Sequence, residues 1–474
     1  MSITDVKFLN IIDGKPVPAT KFERCIDPRT EEPLWEVAVA SPEDIDSAVK
    51  SAQNALVTWG KTTLDERKAK LVQLAECMKE NEEILKEYLM RETGKTRFMA
   101  GIEIDTSIAQ TLYYVKNTLK DEMVYEDENM KVFQTYVPVG IVGAICPWNF
   151  PMILANMKIV SSLITGNCVI LKPSPFTPYA LIKSVELFQS FLPPGVIQII
   201  NGGADLGAAM TAHPGISKIS FTGTTSTGKR VMEACSKTLK KLTLEMAGNN
   251  GSIVCEDIDI PAVAAKIATG GFFNAGQVCV ATKRVYVPEA IFDKFIEELE
   301  KAVKALYTIN EDQEAMSTFG PLSNKMQYDV VAKFFSDCKK NGYDTRTLDQ
   351  VPSNAKGFWM PPTLVINPPE TSMIVQEEQF GPILPIIKYT DLDDALRQVN
   401  LDNAGLGASV YSNDLEKANS IARRIEAGSV WINTSERPHQ GSFFSGWKDS
   451  GYGGEFGTHG LLSYSRVQSL IVSK

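Results

Sequence analysis

Histidine is the scarcest chemically useful side chain in this sequence, with His213, His439 and His459 the only three in 474 residues. No His and Cys cluster with metal-ligand spacing can be assembled from them, so no metal site is expected. Eight cysteines occur (Cys25, Cys77, Cys146, Cys168, Cys235, Cys255, Cys279 and Cys338), but none lies close to another and no C-x-x-C is present. That excludes a disulfide framework and a redox pair, and it fits a reducing, cytoplasmic setting. Long apolar runs are also missing: the longest, near 138–146, has the length of a strand and is broken by glycine. A membrane span is therefore not expected. Basic blocks are absent, and the balance of 48 Lys+Arg against 57 Asp+Glu gives a net charge of −9, which argues against nucleic acid as a partner. Met1-Ser2-Ile3-Thr4-Asp5 has no basic stretch followed by an apolar one, so no secretory leader is expected, and Ile471-Val472-Ser473-Lys474 matches no receptor-read address.

What is present is an ordinary globular composition, 44% apolar and 22% charged, in a chain too long for one core. Two or three domains are expected. Residues 42–120 read as helical, with apolar residues at helical spacing over 44–59 and 64–89. Residues 121–136 suggest a short projecting hairpin. From 139 the pattern changes to apolar runs at 139–146, 168–172, 196–201, 216–221 and 242–246, separated by helical segments. Such alternation predicts a parallel sheet with crossover helices, a Rossmann-like doubly wound α/β architecture. A second α/β block runs from 252 to about 444, and the active site is expected in the cleft between the two. The tail, 460–474, is strand-like and would pair with the hairpin near Val132. The resulting division is a dinucleotide-binding domain over 1–120 and 140–248, a catalytic domain over 249–445, and a small β oligomerisation or bridging arm over 121–139 and 446–474.

Phe272-Phe273-Asn274-Ala275-Gly276-Gln277-Val278-Cys279 is the most informative stretch. A packed thiol does not need a glycine and two amides around it. A nucleophilic thiolate does, because it needs polar hydrogens, a backbone N–H for a developing oxyanion and an open approach. Four further segments follow matching chemistry: Pro147-Trp148-Asn149-Phe150-Pro151, Phe221-Thr222-Gly223-Thr224-Thr225, Leu244-Glu245-Met246-Ala247-Gly248 and Glu377-Glu378-Gln379-Phe380-Gly381-Pro382. In this order the five resemble the aldehyde dehydrogenase superfamily, over essentially the whole chain from about Ile12.

The resemblance implies NAD- or NADP-dependent oxidation of a small-molecule aldehyde to a carboxylic acid, through a thiohemiacetal and a thioester on Cys279. It implies oxyanion stabilisation by Asn149, although a helix cap near Met152 is the other reading of that residue. Glu245 matches the general base for thioester hydrolysis, in a loop that departs from the usual Glu-Leu-Gly-Gly-Lys at Met246, Ala247 and Asn249. Glu455 matches a proton-relaying glutamate, with a solvated surface acid as the alternative. Cofactor contacts are implied for Trp148, Lys172, Ser174, Pro175, Gly223, Thr224, Glu378 and Phe380. Pro175 stands where many NAD-preferring relatives carry a glutamate, which removes a charge that would repel a 2′-phosphate. Gly223 to Lys229 also reads as G-x-x-x-x-G-K, but Arg230 replaces the Ser/Thr that would hold magnesium. The implied substrate walls are Phe150, Leu154, Met157, Val278, Val280 and Phe444, with Arg437 or His439 near the mouth as a carboxylate site or part of a solvated loop. A homodimer or homotetramer is implied. A CoA-acylating or reductive acyl-transfer variant and a non-catalytic binding or structural member remain as alternatives.

Overall fold

The computed structural model describes residues 6–401 and 403–474. Its centre is an eight-stranded sheet in the order Gly451–Tyr452, Lys241–Glu245, Lys218–Thr222, Ile141–Ile145, Cys168–Lys172, Ile197–Ile199, Ile11–Ile12 and Lys15–Pro16. The five middle strands are parallel, with Thr222 opposite Glu245, Phe221 opposite Ile145 and Ile145 opposite Lys172. Four of them are buried throughout, as strands covered on both faces by helices must be, and Lys241–Glu245 is buried from Thr243 onward. Chain order reverses at Ile141–Ile145, whose two neighbours are an earlier-returning and a later strand. A crevice therefore opens beyond the C-terminal ends of Ile141–Ile145 and Lys218–Thr222, where ligands bind in open parallel sheets.

A second sheet has seven strands, in the order Asp344–Thr347, Thr363–Ile366, Ile383–Tyr389, Arg284–Pro288, Gly251–Val254, Gly407–Tyr411 and Ser429–Ile432, with only the first antiparallel to its neighbour. Each large sheet has its own hydrophobic core. Val280, Leu406 and Phe444 come from the later half of the chain yet pack into the first core, so the two units meet around Cys279. The expected α/β architecture is present.

Details differ from expectation in three places. The helix expected over 64–89 is two, Leu64–Glu80 and Glu82–Thr93, because Asn81 leaves helical geometry (φ −107°, ψ 19°). The tail is not strand throughout: Gly457–Ser463 is a helix, and the strand begins at Ser465. That strand pairs antiparallel with Met130–Pro138 over nine residues, with Ile471 opposite Val132, as expected of the tail. A three-stranded sheet of Lys7–Phe8, Pro33–Ala38 and Phe22–Ile26 was not foreseen. Among the described residues no helix is long and apolar enough to cross a membrane, and no metal-ligand cluster exists.

Candidate active site

Cys279 sits just past a loop whose backbone is forced out of the ordinary regions. Asn274 and Ala275 have φ of 52° and Gly276 of 74°. For alanine that conformation costs about 1–2 kcal/mol, and the surroundings hold it in place. Asn274 N–H donates to Thr318 O (3.0 Å), and the Gln277 amide donates to Asn274 O and Pro321 O while accepting from Ser323 N–H. Gly276 is obligatory: a Cβ there would stand 2.3 Å from Gly381 O.

The thiol of Cys279 donates to Glu245 Oε1 at 3.3 Å. Glu245 ends its strand almost fully buried, and burial raises its pKa, against the lowering effect of Lys158. Burial, then the Glu245 carboxylate, pushes the thiol well above its ordinary range. The two groups are thus matched as a thiol held protonated and an acceptor at hydrogen-bond distance.

Asn149 lies beyond the end of Ile141–Ile145, buried, with Nδ2 donating to Gln277 O at 3.1 Å. It is not the cap of the helix Pro151–Ile164. Phe150 occupies the N-cap position, and the free N–H groups of Met152 and Ile153 go to Glu103 Oε1 (2.8 and 3.4 Å). Lys95 completes that corner, donating to Glu103 (2.5 Å) and Asn149 O (2.7 Å) and standing 4.2 Å from the Phe150 ring centre. The Asn149 amide has two N–H groups, and only one is committed to Gln277 O.

Behind Glu245 a polar chain runs into the first core. Thr222 Oγ1 donates to Glu245 Oε2 (3.3 Å), and Lys158 Nζ donates to both Thr222 (3.0 Å) and Ser220 (2.9 Å). Lys158 lies 3.6 Å from Glu455 Oε1, which also accepts from Ser220 (2.6 Å) and Tyr464 (2.9 Å). Glu455 is 1% exposed, so the solvated-acid reading fails; its strand Gly454–Glu455 pairs with Phe444–Ser445 and carries the carboxyl inward.

The cofactor candidates gather at the crevice of the first sheet. Gly223 and Thr224 precede the helix Thr225–Ser236, whose N-terminus no side chain caps, and the Thr224 hydroxyl meets those of Ser226 and Thr227. Uncapped N–H groups with the helix dipole behind them suit a pyrophosphate. Lys172 ends its strand buried, its ammonium on Pro173 O (3.1 Å), and burial lowers its pKa to about 8. Ser174 is buried in the following turn, and Pro175 is exposed. Across the crevice Glu378 Oε1 accepts from Gly248 N–H (3.2 Å), and the Trp148 and Phe380 rings meet edge-on at 5.4 Å. The donor set suits a dinucleotide: dipole and hydroxyls for phosphate, an ammonium and a carboxylate for ribose hydroxyls.

All six expected substrate-wall residues, with Asn149, Glu245 and Cys279, line one cavity of about 550 Å³; Ile102, Ile153, Phe273 and Phe456 extend its apolar surface. None of Lys172, Pro175, Thr224 and Glu378 lines it, so this is a compartment on the far side of the thiol from the dinucleotide crevice. Arg437 is at its rim, whereas His439 turns away, stacked edge-on to Tyr113. Sequence reasoning missed Lys158, Glu103, Lys95, Glu436 and Lys283. Lys158 was legible as the lone charge in an otherwise apolar helix. Glu103 and Lys95 look like ordinary helix-surface charges until the fold buries them. Glu436 lies beside the expected mouth, but its carboxyl turns inward to Thr282 (2.8 Å).

The family model for the aldehyde dehydrogenase family matches residues 17–470. Aldehyde dehydrogenase LUC3 of a Fusarium species is 40% identical over 468 residues, covering 98% of this chain and 99% of that protein. Aldehyde dehydrogenase [NAD(P)+] 2 of Saccharomyces cerevisiae is 34% identical, covering 97% and 92%. Among solved structures, the NAD+ complex of a Bacillus cereus aldehyde dehydrogenase matches with a TM-score of 0.95 at 29% identity, over 100% of this chain and 98% of that one.

Proposed function

The chain belongs to the aldehyde dehydrogenase family, and on that premise we propose how it oxidises an aldehyde to a carboxylic acid with NAD or NADP. Cys279 is the nucleophile. Its proton passes to Glu245 across the 3.3 Å contact, and the thiolate sulfur bonds to the aldehyde carbon, giving a thiohemiacetal oxyanion. The second N–H of Asn149 and the backbone N–H of Cys279 stabilise that oxyanion. A nicotinamide cofactor, when bound, would supply the acceptor for the hydride that the thiohemiacetal must lose to become a thioester. Glu245 first passes the thiol proton away through Thr222, Lys158 and Ser220 toward Glu455. As a carboxylate again, it removes a proton from water, the hydroxyl attacks the thioester carbon, the Cys279 thiolate leaves, and the new proton departs by the same route.

Lys172 and Glu378 would hold the two ribose ends, and Thr224 with its helix N-terminus would hold the pyrophosphate. Pro175 places no carboxylate beside the adenine ribose, so NADP is accepted as well as NAD. The substrate is an apolar aldehyde of some bulk, since a cavity of about 550 Å³ walled by Phe, Leu, Met and Val side chains gives a short polar aldehyde little to hold. The protein works in the cytoplasm as a homodimer or homotetramer, its small β arm supplying the contact. The observation that carries this reading is the Cys279–Glu245 pair at the floor of that cavity.

The test is NAD and NADP reduction over a panel of short, long-chain and aromatic aldehydes, with and without CoA. Turnover without CoA, with kcat/KM rising along the alkyl series, is expected. Turnover that requires CoA would overturn the hydrolytic reading, and preference for the shortest aldehydes would overturn the substrate.

A further inference from the structure

A buried ammonium that the chemistry above does not use lies beside the nucleophile. Lys283 follows Cys279 by four residues, at the edge of the strand Arg284–Pro288, and is 2% exposed. Its Nζ donates to Gly276 O at 2.9 Å and stands 4.9 Å from the centre of the Phe380 ring. These contacts join the loop that presents Cys279 to the loop that carries Glu378 and Phe380. Burial lowers the Lys283 pKa to about 8, while Glu378, Cys279 and Glu436, in that order, hold it up. The groups facing Cys279 are Glu245 and Glu378, which disfavour its thiolate, and Lys283, which favours it. A side chain of similar length without charge would fill the same space at no desolvation cost, so the ion needs a compensating interaction. Glu378 supplies the first, and the thiolate form of Cys279 adds a second when it forms.

We propose that Lys283 is a positioning residue for the covalent step, fixing the Gly276 carbonyl, and with it the Cys279 loop, against the Phe380 corner while its charge offsets the carboxylates around the thiol. It makes and breaks no bond, and the thiol proton still goes to Glu245. The inference rests on the reading of Cys279 as the nucleophile.

The experiment is the pH dependence of Cys279 alkylation by iodoacetamide in the full-length wild type, Lys283→Met, Lys283→Gln and Lys283→Arg, with Cys279→Ala as the blank and steady-state kinetics alongside. Glutamine keeps an N–H for Gly276 O but no charge. Both neutral variants are expected to shift the alkylation profile about one pH unit upward, a loss of about tenfold in rate at pH 7.5. Their kcat falls while the aldehyde KM changes by less than about twofold, and the arginine variant stays within about threefold of wild type. An unshifted profile in Lys283→Gln overturns the proposal, whatever its thermal stability; should Lys283→Met not fold, the Gln and Arg pair decides. Alkylation is read without turnover, so a wild type that oxidises no aldehyde would sink the functional reading and leave this test standing.

Discussion

In the proposed mechanism Glu245 serves two half-reactions, and a single substitution should separate them. Glu245→Gln should still acylate, slowly, but fail to activate water, giving a burst of about one NAD(P)H per site followed by turnover reduced about 10²–10⁴-fold. Stopped-flow absorbance at 340 nm reads both phases, and unchanged steady-state turnover would remove Glu245 from the mechanism. Because burial raises its pKa, the base form of wild-type Glu245 is lost as pH falls through a value above that of an ordinary carboxylate. The acid limb of kcat should therefore lie above pH 4.5. Lys172 gives a second residue-scale expectation. Its ammonium is charged below about pH 8 and neutral above it, so any hold on a 2′-phosphate is present at pH 7 and fades as pH rises. The KM for NADP relative to NAD should climb about tenfold between pH 7 and 9, equivalent to about 1.4 kcal/mol. A flat ratio would mean that Lys172 does not meet the phosphate.

At the scale of elements, the helix Pro151–Ile164 depends on a carboxylate from another helix. Glu103 takes its first N–H groups and neutralises Lys95, which in turn holds the Asn149 carbonyl. Glu103→Gln should leave Lys95 buried and unpaired, costing about 3–5 kcal/mol in denaturant unfolding, far more than an exposed cap. It should also lower kcat, because the Asn149 turn loses its anchor. A loss below about 1 kcal/mol would show that the pair contributes little. Nothing in the local sequence announced this. The five central strands were readable because burial on both faces leaves most of them short, largely apolar runs between helical segments. The break at Asn81 was not, since apolar spacing continues through it. Nor was the inward turn of Glu455, which depends on a two-residue strand pairing. The nucleophile and base motifs were legible because their chemistry needs particular residues in particular order; the groups around them act through tertiary burial that no local pattern encodes.

For the whole molecule, the arm formed by Glu122–Glu126, Met130–Pro138 and Ser465–Ser473 is the least covered part. Met123, Val124, Tyr125, Leu470, Ile471 and Val472 are exposed on it, more apolar surface than a lone projecting sheet tolerates. Ile471→Glu should shift the protein toward monomer in light scattering with little change in the near-UV signal of the cores. An unchanged mass would assign the assembly contact elsewhere. Within the second unit, two loops meet backbone to backbone at Gly276 and Gly381, with no room for a methyl group. These neighbouring loops carry Cys279 on one side and Phe380 on the other, packed like meshed gear teeth. In the proposed mechanism a cofactor that leaves past Phe380 would push on the loop that carries Cys279. Exit and nucleophilic attack would then alternate, a consequence of a hydrogen atom standing where any other residue would place a carbon.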